Sequence, residues 1–495
     1  MARYKPYNYT QLRMIPVSLE QQLVPGTLEH TIHMVVEHEI DLSIFDPQYD
    51  NDETGCRAYN PKSLLKVILM GYARGMLGSR KIEQACHENI VFMALACGQA
   101  PDHSTIAAFV TTMKKEILFI FQRVLLICDR MNLIGGTTFA IDGVKLPSNA
   151  SKQMSGTFAE LAEKKKKFHA RIAAMIEKHI ACDQESGFSD TEKKKLKKLH
   201  HSIKKIDRFL QENEPKPSKK KKENKSNITD NDSQLMMSSH GVIQGYNAQA
   251  LVDSKHQIII HADAGNSGQD DEHLSVMVEG ARENLQAIGK SEKILGAAIV
   301  LGDPNYNSPT NLKTCIEENL HAIFPSTQFR KTNSTKDPGQ SKFTITDFIF
   351  NEQEDTYTCP AHNTLVRKGD IKRKRKKYYR LYIAKESDCQ ECPFKKRCFI
   401  QKTAKRRRLL VYYDKKVVEY AYMMETKFNT EEGRALYDQR IWINEPVFAN
   451  IRVQKRMDRF LYRGKPKVNI QWLLYSLVHN IEKLANNGYA FASVT

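Results

Sequence analysis

The chain has no run approaching the roughly 18 consecutive apolar residues of a membrane span. Its opening segment, "MARYKPYNYTQLRMIP", lacks the apolar core of a secretory leader, so a cytosolic protein is expected. Surplus acid is missing too: 75 Lys and Arg stand against 57 Asp and Glu, a net charge of +18. At a pI near 9.3, a polyanionic partner is favoured, nucleic acid first. The ten cysteines are scattered rather than spaced as a disulfide framework, apart from one late cluster. At 495 residues the chain exceeds one hydrophobic core, and two to four domains are expected.

From Pro61 to about Leu133 apolar residues recur at helical spacing, as in "PKSLLKVILMGYARGM" and "KKEILFIFQRVLLICDRM". Within this region "GQAPDHS" is a turn, and Ser104 is the expected cap of a helix starting near Thr105. A helix-turn-helix and a plain bundle both fit; Ser104 to Lys115 is the candidate recognition helix.

The character changes at Thr137. "TTFAIDGVKLPS" is strand-like and carries Asp142 after an apolar approach. Two charged helical stretches follow as a hairpin over 152–213. Residues 214–235 then read as a lysine-rich linker too polar to fold. "GVIQGYNAQALVD" and "HQIIIHADAGN" predict a β-hairpin turning near Asp253 to Lys255, followed by a helix from about Glu272 to Ile288. "AAIVLGDPNYNS" predicts a buried strand over 297–301 that ends on Asp303, because Pro304 has no N–H to continue a ladder. A helix near Asn311 to Glu318 and the strand "HAIFPS" complete a mixed α/β sheet. A lone Asp beside Pro and Asn is ordinarily a turn residue, so Asp303 gains meaning only with a partner.

Near the C-terminus "NTEEGRALYDQRIWINEPVFANIRVQKRMDRF" reads as helix, with Asn429 and Glu432 at capping-box spacing and Glu445 before Pro446. Two strand-end aspartates and a helical glutamate, in that order on a basic chain, resemble the DDE transposases of bacterial insertion sequences. The likeness is greatest to the large type named after insertion sequence eleven-eighty-two. It runs through "YNPKSLLKVILMGYARGMLGSRKIE", "PDHSTIAAF", "AIDGVKLPSNAS", "GYNAQALVD", "GDPNYNS", "EPVFANIR" and "RGKPKVNIQWLLYSLVHNIEKL". The resemblance implies an RNase H-like catalytic domain over 134–495, preceded by an all-helical DNA-binding domain over 1–133. It makes Asp142, Asp303 and Glu445 the catalytic acids and ligands of Mg²⁺ or Mn²⁺, and brings Tyr437, Arg440 and Arg452 to DNA. The family's helix signature has three residues between Arg and Glu, whereas four separate Arg440 from Glu445, and Arg452 stands where lysine is usual. Three carboxylates suit a hard divalent ion and in-line displacement at phosphorus. The implied function is end binding, strand cleavage and strand transfer by a homodimer on double-stranded DNA: element inverted repeats and target. The acids alone equally suit a nuclease that does not join, and an inactive DNA-binding derivative is a further alternative.

Between Lys372 and Arg408 there are 16 Lys or Arg against three acids. This lies inside a basic insertion spanning about 335–425. Lys372, Arg373, Lys374, Arg375, Lys376 and Lys377 run into paired tyrosines, and Arg406, Arg407 and Arg408 follow; such interleaving favours phosphate contacts and stacking. Cys359, Cys389, Cys392 and Cys398 are candidate Zn²⁺ ligands, with His362 as a substitute, because the Cys389–Cys392 spacing is that of a zinc knuckle. With few large apolar residues over 355–400, this segment is expected to lack a core of its own.

Overall fold

The computed structural model describes residues 17–49, 57–181, 188–217, 223–238, 241–268, 273–326, 343, 345–373, 377–399 and 403–489. Among these, no helix is long and apolar enough to cross a membrane. The chain divides into two compact units, residues 1–116 with 481–495 and residues 117–480.

The first unit is helical. Helix α1 (Leu28–Met34) runs into one π turn (Val35–Glu39), followed by α2 (Pro61–Ala73), α3 (Ser79–Glu88), α4 (Ile90–Leu95) and α5 (His103–Thr112). Pro61 opens α2, where its missing N–H costs nothing, and the Asn60 side chain accepts the Lys62 N–H at 2.8 Å. Helix α2 is buried nearly all round and packs against α3, α4 and α5, so it forms the centre of a small bundle. Asp102 caps α5 in place of the expected Ser104, its Oδ1 accepting the N–H groups of Ser104 and Thr105. A helix opening at His103 has its free N–H groups within reach of residue 102, and Ser104 lies already inside it.

The second unit begins with α6 (Glu116–Arg130) and contains a mixed sheet. Its strands are β1 (Thr138–Pro147), β4 (Gln234–Ser238), β5 (Gly241–Asp253), β6 (Ile259–Gly265), β7 (Ile299–Gly302) and β8 (His321–Ile323), while β2 (Ser155–Gly156) and β3 (Ser226–Asn227) form a separate ribbon. The order is β4-β5-β1-β7-β8, with β6 also on β5. Strand β1 pairs antiparallel with β5 and parallel with β7, so the expected mixed sheet and its β5–β6 hairpin are present. The strand expected over 297–301 starts two residues later, because α10 (Ile294–Ala297) precedes it and closes with the Ala298 N–H on the Ile294 carbonyl.

Helices α7 (Phe158–Ala181) and α8 (Asp190–Glu212) form the helical hairpin, packed through Leu161, Ile206 and Phe209. The adjoining 214–235 segment departs from its reading as an unfolded linker. Lys219 to Lys222 lie outside the described residues, but Asn227, Asp230 and Ser233 are buried and β3 forms. Hydrogen bonds replace apolar burial here: Asn227 donates to the Ser151 carbonyl and the Ser155 hydroxyl, and Asp230 accepts from the Tyr246 hydroxyl and the Gly464 N–H.

Helices α9 (Leu274–Ala287) and α11 (Pro309–Glu317) lie near their expected places. The basic insertion is a five-stranded antiparallel sheet, β9 (Ile349–Asn351), β10 (Thr356–Thr358), β11 (Thr364–Arg373), β12 (Lys377–Ala384) and β13 (Arg408–Tyr412), with short helices α12 (Glu386–Gln390) and α13 (Lys395–Cys398). Contrary to expectation it buries a core: Phe343, Phe348, Tyr357, Leu365, Tyr382, Phe399, Leu409 and Val411 pack together with Cys389 and Cys398. Phe343, Phe348, Leu409 and Val411 come from outside the 355–400 window, and strand alternation turns Tyr357, Leu365 and Tyr382 to the same side, which is how a polar-looking stretch covers one apolar face.

Helix α14 (Lys415–Asn429) meets α15 (Glu431–Ala449), and Thr430 caps α15 by accepting the Gly433 N–H, because Asn429 still belongs to α14. Pro446 does not break α15. It cannot donate to the Trp442 carbonyl four residues back, and the Gln257 side-chain amide takes that acceptor instead, at 2.7 Å. A π turn (Asn450–Gln454) follows, and α16 (Lys465–Asn486) closes the chain, its residues to Asn480 within this unit.

Candidate active site

Strand β1 is buried through Ile141 and becomes half-buried at Asp142, so the carboxylate stands where the strand leaves the core. In the parallel β1–β7 pair Ile141 is opposite Gly302. The next residues, Asp142 and Asp303, are therefore neighbours on one face of the sheet. Gly143 comes next, and a Cβ there would collide with the Gln249 side chain. That side chain accepts from the Tyr306 hydroxyl, and the Gln249 carbonyl accepts from Trp472 Nε1 at 2.8 Å, which locks the three elements behind the aspartates.

Asp303 performs the ordinary turn role as well. Its Oδ1 accepts the Asn305 N–H at 2.8 Å and its Oδ2 accepts the Asn305 side-chain amide at 2.9 Å, capping the single 3-10 turn Pro304–Tyr306. These bonds fix the carboxylate while it is 7 % exposed. Asp142 Oδ1 accepts the Gly143 N–H at 2.8 Å, and its Oδ2 accepts Arg440 Nη1 at 2.9 Å.

Arg440 comes from α15, which packs on β1, β5 and β7. Burial alone lowers the pKa of its guanidinium, but Asp142, Tyr437 and Asp303 outweigh it and the net shift is upward. Tyr437, one turn earlier, is buried against Phe428, with its ring 5.7 Å from the Arg440 guanidinium carbon. The buried stripe of α15 continues through Asn444 and Val447. Glu445 is exposed, makes no hydrogen bond or ion pair among the described residues, and is about 140° around the helix from Arg440 at 100° per residue. Asp142, Asp303, Tyr437 and Arg440 are thus gathered, while Glu445 stands on the same helix off that stripe. Arg452 is half-buried beyond it in the π turn. Among the described residues no group of three or more His, Cys, Asp or Glu is arranged to hold a metal ion.

Sequence reasoning assigned Arg440 to DNA and missed its bond to Asp142. Nothing local signals a pair 298 residues apart.

In the insertion, Lys374, Arg375 and Lys376 lie outside the described residues, and Lys372, Arg373 and Lys377 are placed in β11 and β12 by their backbone alone. Arg406 and Arg408 are exposed. Arg407 differs from the expected DNA contact: it is 5 % exposed, donates to the Cys398 and Phe343 carbonyls and covers the Phe348 ring. A guanidinium so enclosed ties the insertion together and has no surface to offer a phosphate. Cys359, Cys389, Cys392 and Cys398 line one small cavity, of about 20 Å³, with Asp388 and Asn363; His362 is exposed and does not line it. Burial pushes the Cys398 thiol up to about 11 and raises that of Cys389.

Contrary to expectation Asp142 lies within β1, which runs on to Pro147, and only Asp303 follows directly on a strand end. A basic chain with these two aspartates side by side on adjacent parallel strands, and a helical domain before them, is what the resemblance to a transposase leads one to expect. Two family models agree, a transposase domain (DUF772) over residues 17–112 and a transposase DDE domain over residues 358–485. Together these matches support a DDE transposase of insertion-sequence type. No curated protein matches it. The matched DDE segment contains Tyr437, Arg440 and Glu445 but begins after Asp142 and Asp303.

Proposed function

We propose that this protein binds the ends of an insertion sequence and catalyses metal-dependent strand cleavage and strand transfer, with an RNase H-like core over 134–495 and a DNA-binding helical domain over 1–133. The observation that carries the reading is the juxtaposition of Asp142 and Asp303 through the Ile141–Gly302 register. The donor set fits Mg²⁺ or Mn²⁺, which are held by one or two carboxylates and complete their shell with substrate phosphate and water. Glu445 is the third acid of this reading. A bound divalent ion supplies charge neutralisation at the phosphorus centre and a more acidic water or 3′-hydroxyl.

The chain's own groups do the rest. Asp142 and Asp303 present oxygen ligands on a rigid sheet, held by the Gly143 and Asn305 N–H groups. Arg440, Tyr437 and Arg452 orient the scissile phosphate, and the exposed Arg406 and Arg408 hold flanking DNA together with Lys372 to Lys377. No protein nucleophile is required, since water and then the freed 3′-hydroxyl attack phosphorus. The active assembly on paired ends is a homodimer acting on double-stranded DNA in the bacterial cytoplasm, at the nucleoid. Zinc on Cys359, Cys389, Cys392 and Cys398 is the second element of the proposal: the four thiols border one cavity and thiolates bind that ion, which would have to draw them together, since they are not set as a ligand group without it.

The test is cleavage and joining of labelled element ends. Asp142→Asn and Asp303→Asn are expected to abolish both while duplex binding persists. Retained cleavage in either variant overturns the assignment, and cleavage by the native protein without joined products leaves a nuclease.

A further inference from the structure

Both aspartates of the site already have internal donors on their oxygens, and one of these donors is a cation. Arg440 Nη1 lies 2.9 Å from Asp142 Oδ2, with the two side chains 14 % and 25 % exposed. Asp303 acts on the same guanidinium. A metal ion on that Asp142 oxygen needs a contact of about 2.1 Å, so the two cations compete for one acceptor. The guanidinium also keeps unused donor capacity: its Nε is buried and has no hydrogen-bond partner among the described residues. A planar fork with a spare N–H suits a phosphate, which binds arginine through two parallel donors.

We propose that Arg440 is a built-in counter-ion for Asp142 that yields its place to the divalent metal when a DNA phosphate draws the guanidinium away. Metal and DNA binding are then coupled through one side chain: each raises the affinity of the other by the same factor. The inference rests on the reading of Asp142 and Asp303 as metal ligands and of DNA as substrate. It adds that the free protein holds its site closed to metal. Arg440 acts here as a positioning residue on the carboxylate.

The experiment measures Mn²⁺ binding to the full-length protein by the electron paramagnetic resonance signal of the free ion, with and without a short DNA duplex of arbitrary sequence. Arg440→Gln is expected to bind Mn²⁺ about tenfold more tightly than the native protein without DNA, since a charge-assisted bond no longer opposes the ion. The duplex, whose phosphate also enters the metal's shell, is expected to tighten Mn²⁺ binding to both proteins, and by a larger factor in the native protein than in Arg440→Gln; an equal factor in the two overturns the coupling through Arg440. Arg440→Lys, which keeps the charge without the fork, is expected between the two and serves if the glutamine variant folds poorly. Unchanged or weaker Mn²⁺ binding by both variants, with loss in Asp142→Asn, overturns the counter-ion role and leaves a structural ion pair. Equal binding by native protein and Asp142→Asn overturns the metal-site reading and this inference with it.

Discussion

Replacing Glu37 by Ala tests how the helical unit is held together. Glu37 sits in the π turn after α1 and accepts Lys66 Nζ at 2.8 Å on one oxygen and Lys62 Nζ at 3.0 Å on the other. Lys66 lies in the middle of α2 with 1 % of its side chain exposed, so its ammonium depends on Glu37. Breaking a buried pair from one side costs about 3–5 kcal/mol, because the remaining charge is left uncompensated. Glu37 is itself a quarter exposed, which places the expected loss near the lower end, about 3 kcal/mol. Amide exchange in the buried stretch of α2 is then expected to speed up on the order of 100-fold, followed by hydrogen-exchange mass spectrometry of the full-length protein. Adding Lys66→Met removes the orphaned charge and is expected to restore most of the protection. Burial pushes the Glu37 carboxyl up, yet the bonds from Lys66 and Lys62 prevail and hold it at about 2, below its ordinary 4.5. The folded-state pKa is the lower one. The contribution is therefore complete above about pH 5 and lost as pH falls from 4.5 towards 2. An effect of Glu37→Ala below about 1 kcal/mol, or no recovery in the double variant, refutes this account.

Tyr246→Phe removes the hydroxyl that donates to Asp230 Oδ1 at 2.8 Å from a fully buried ring, and urea titration is expected to show a loss of about 1–3 kcal/mol; an unchanged midpoint means the bond carries nothing. Exchanging Lys372, Arg373, Arg406 and Arg408 for Gln is expected to weaken duplex binding irrespective of sequence and to flatten the dependence of log K on log salt. The same slope in native and variant protein makes these residues a solvated face. Metal analysis of protein purified under reducing conditions is expected to find near-stoichiometric zinc that is absent from Cys392→Ser, and zinc-free native protein returns the four thiols to the role of packed core residues.

Periodicity and turn chemistry made several local features legible without coordinates. The helices from Pro61 to Arg130, the charged hairpin, the β5–β6 pair and the strand ending near Asp303 follow from apolar spacing, caps and Pro304, all of which act over a few residues. The candidate acids were legible only through resemblance, because an Asp at a strand end looks the same whether it caps a turn or holds an ion. Pairing across long separations lay with the tertiary structure. Register alone sets Asp142 beside Asp303, and helix packing alone brings Arg440 to Asp142, whereas the five-residue spacing from Arg440 already turns Glu445 off that stripe. The polar 223–235 segment and the basic insertion read as coreless because composition counts apolar residues. Their order comes from hydrogen bonds to distant partners and from one face of a sheet, neither of which composition records. Arg407 makes the same point in one residue: within "KRRRL" it matches its neighbours, and only its contacts to the Cys398 and Phe343 carbonyls and the Phe348 ring hold it inward while Arg406 and Arg408 face solvent.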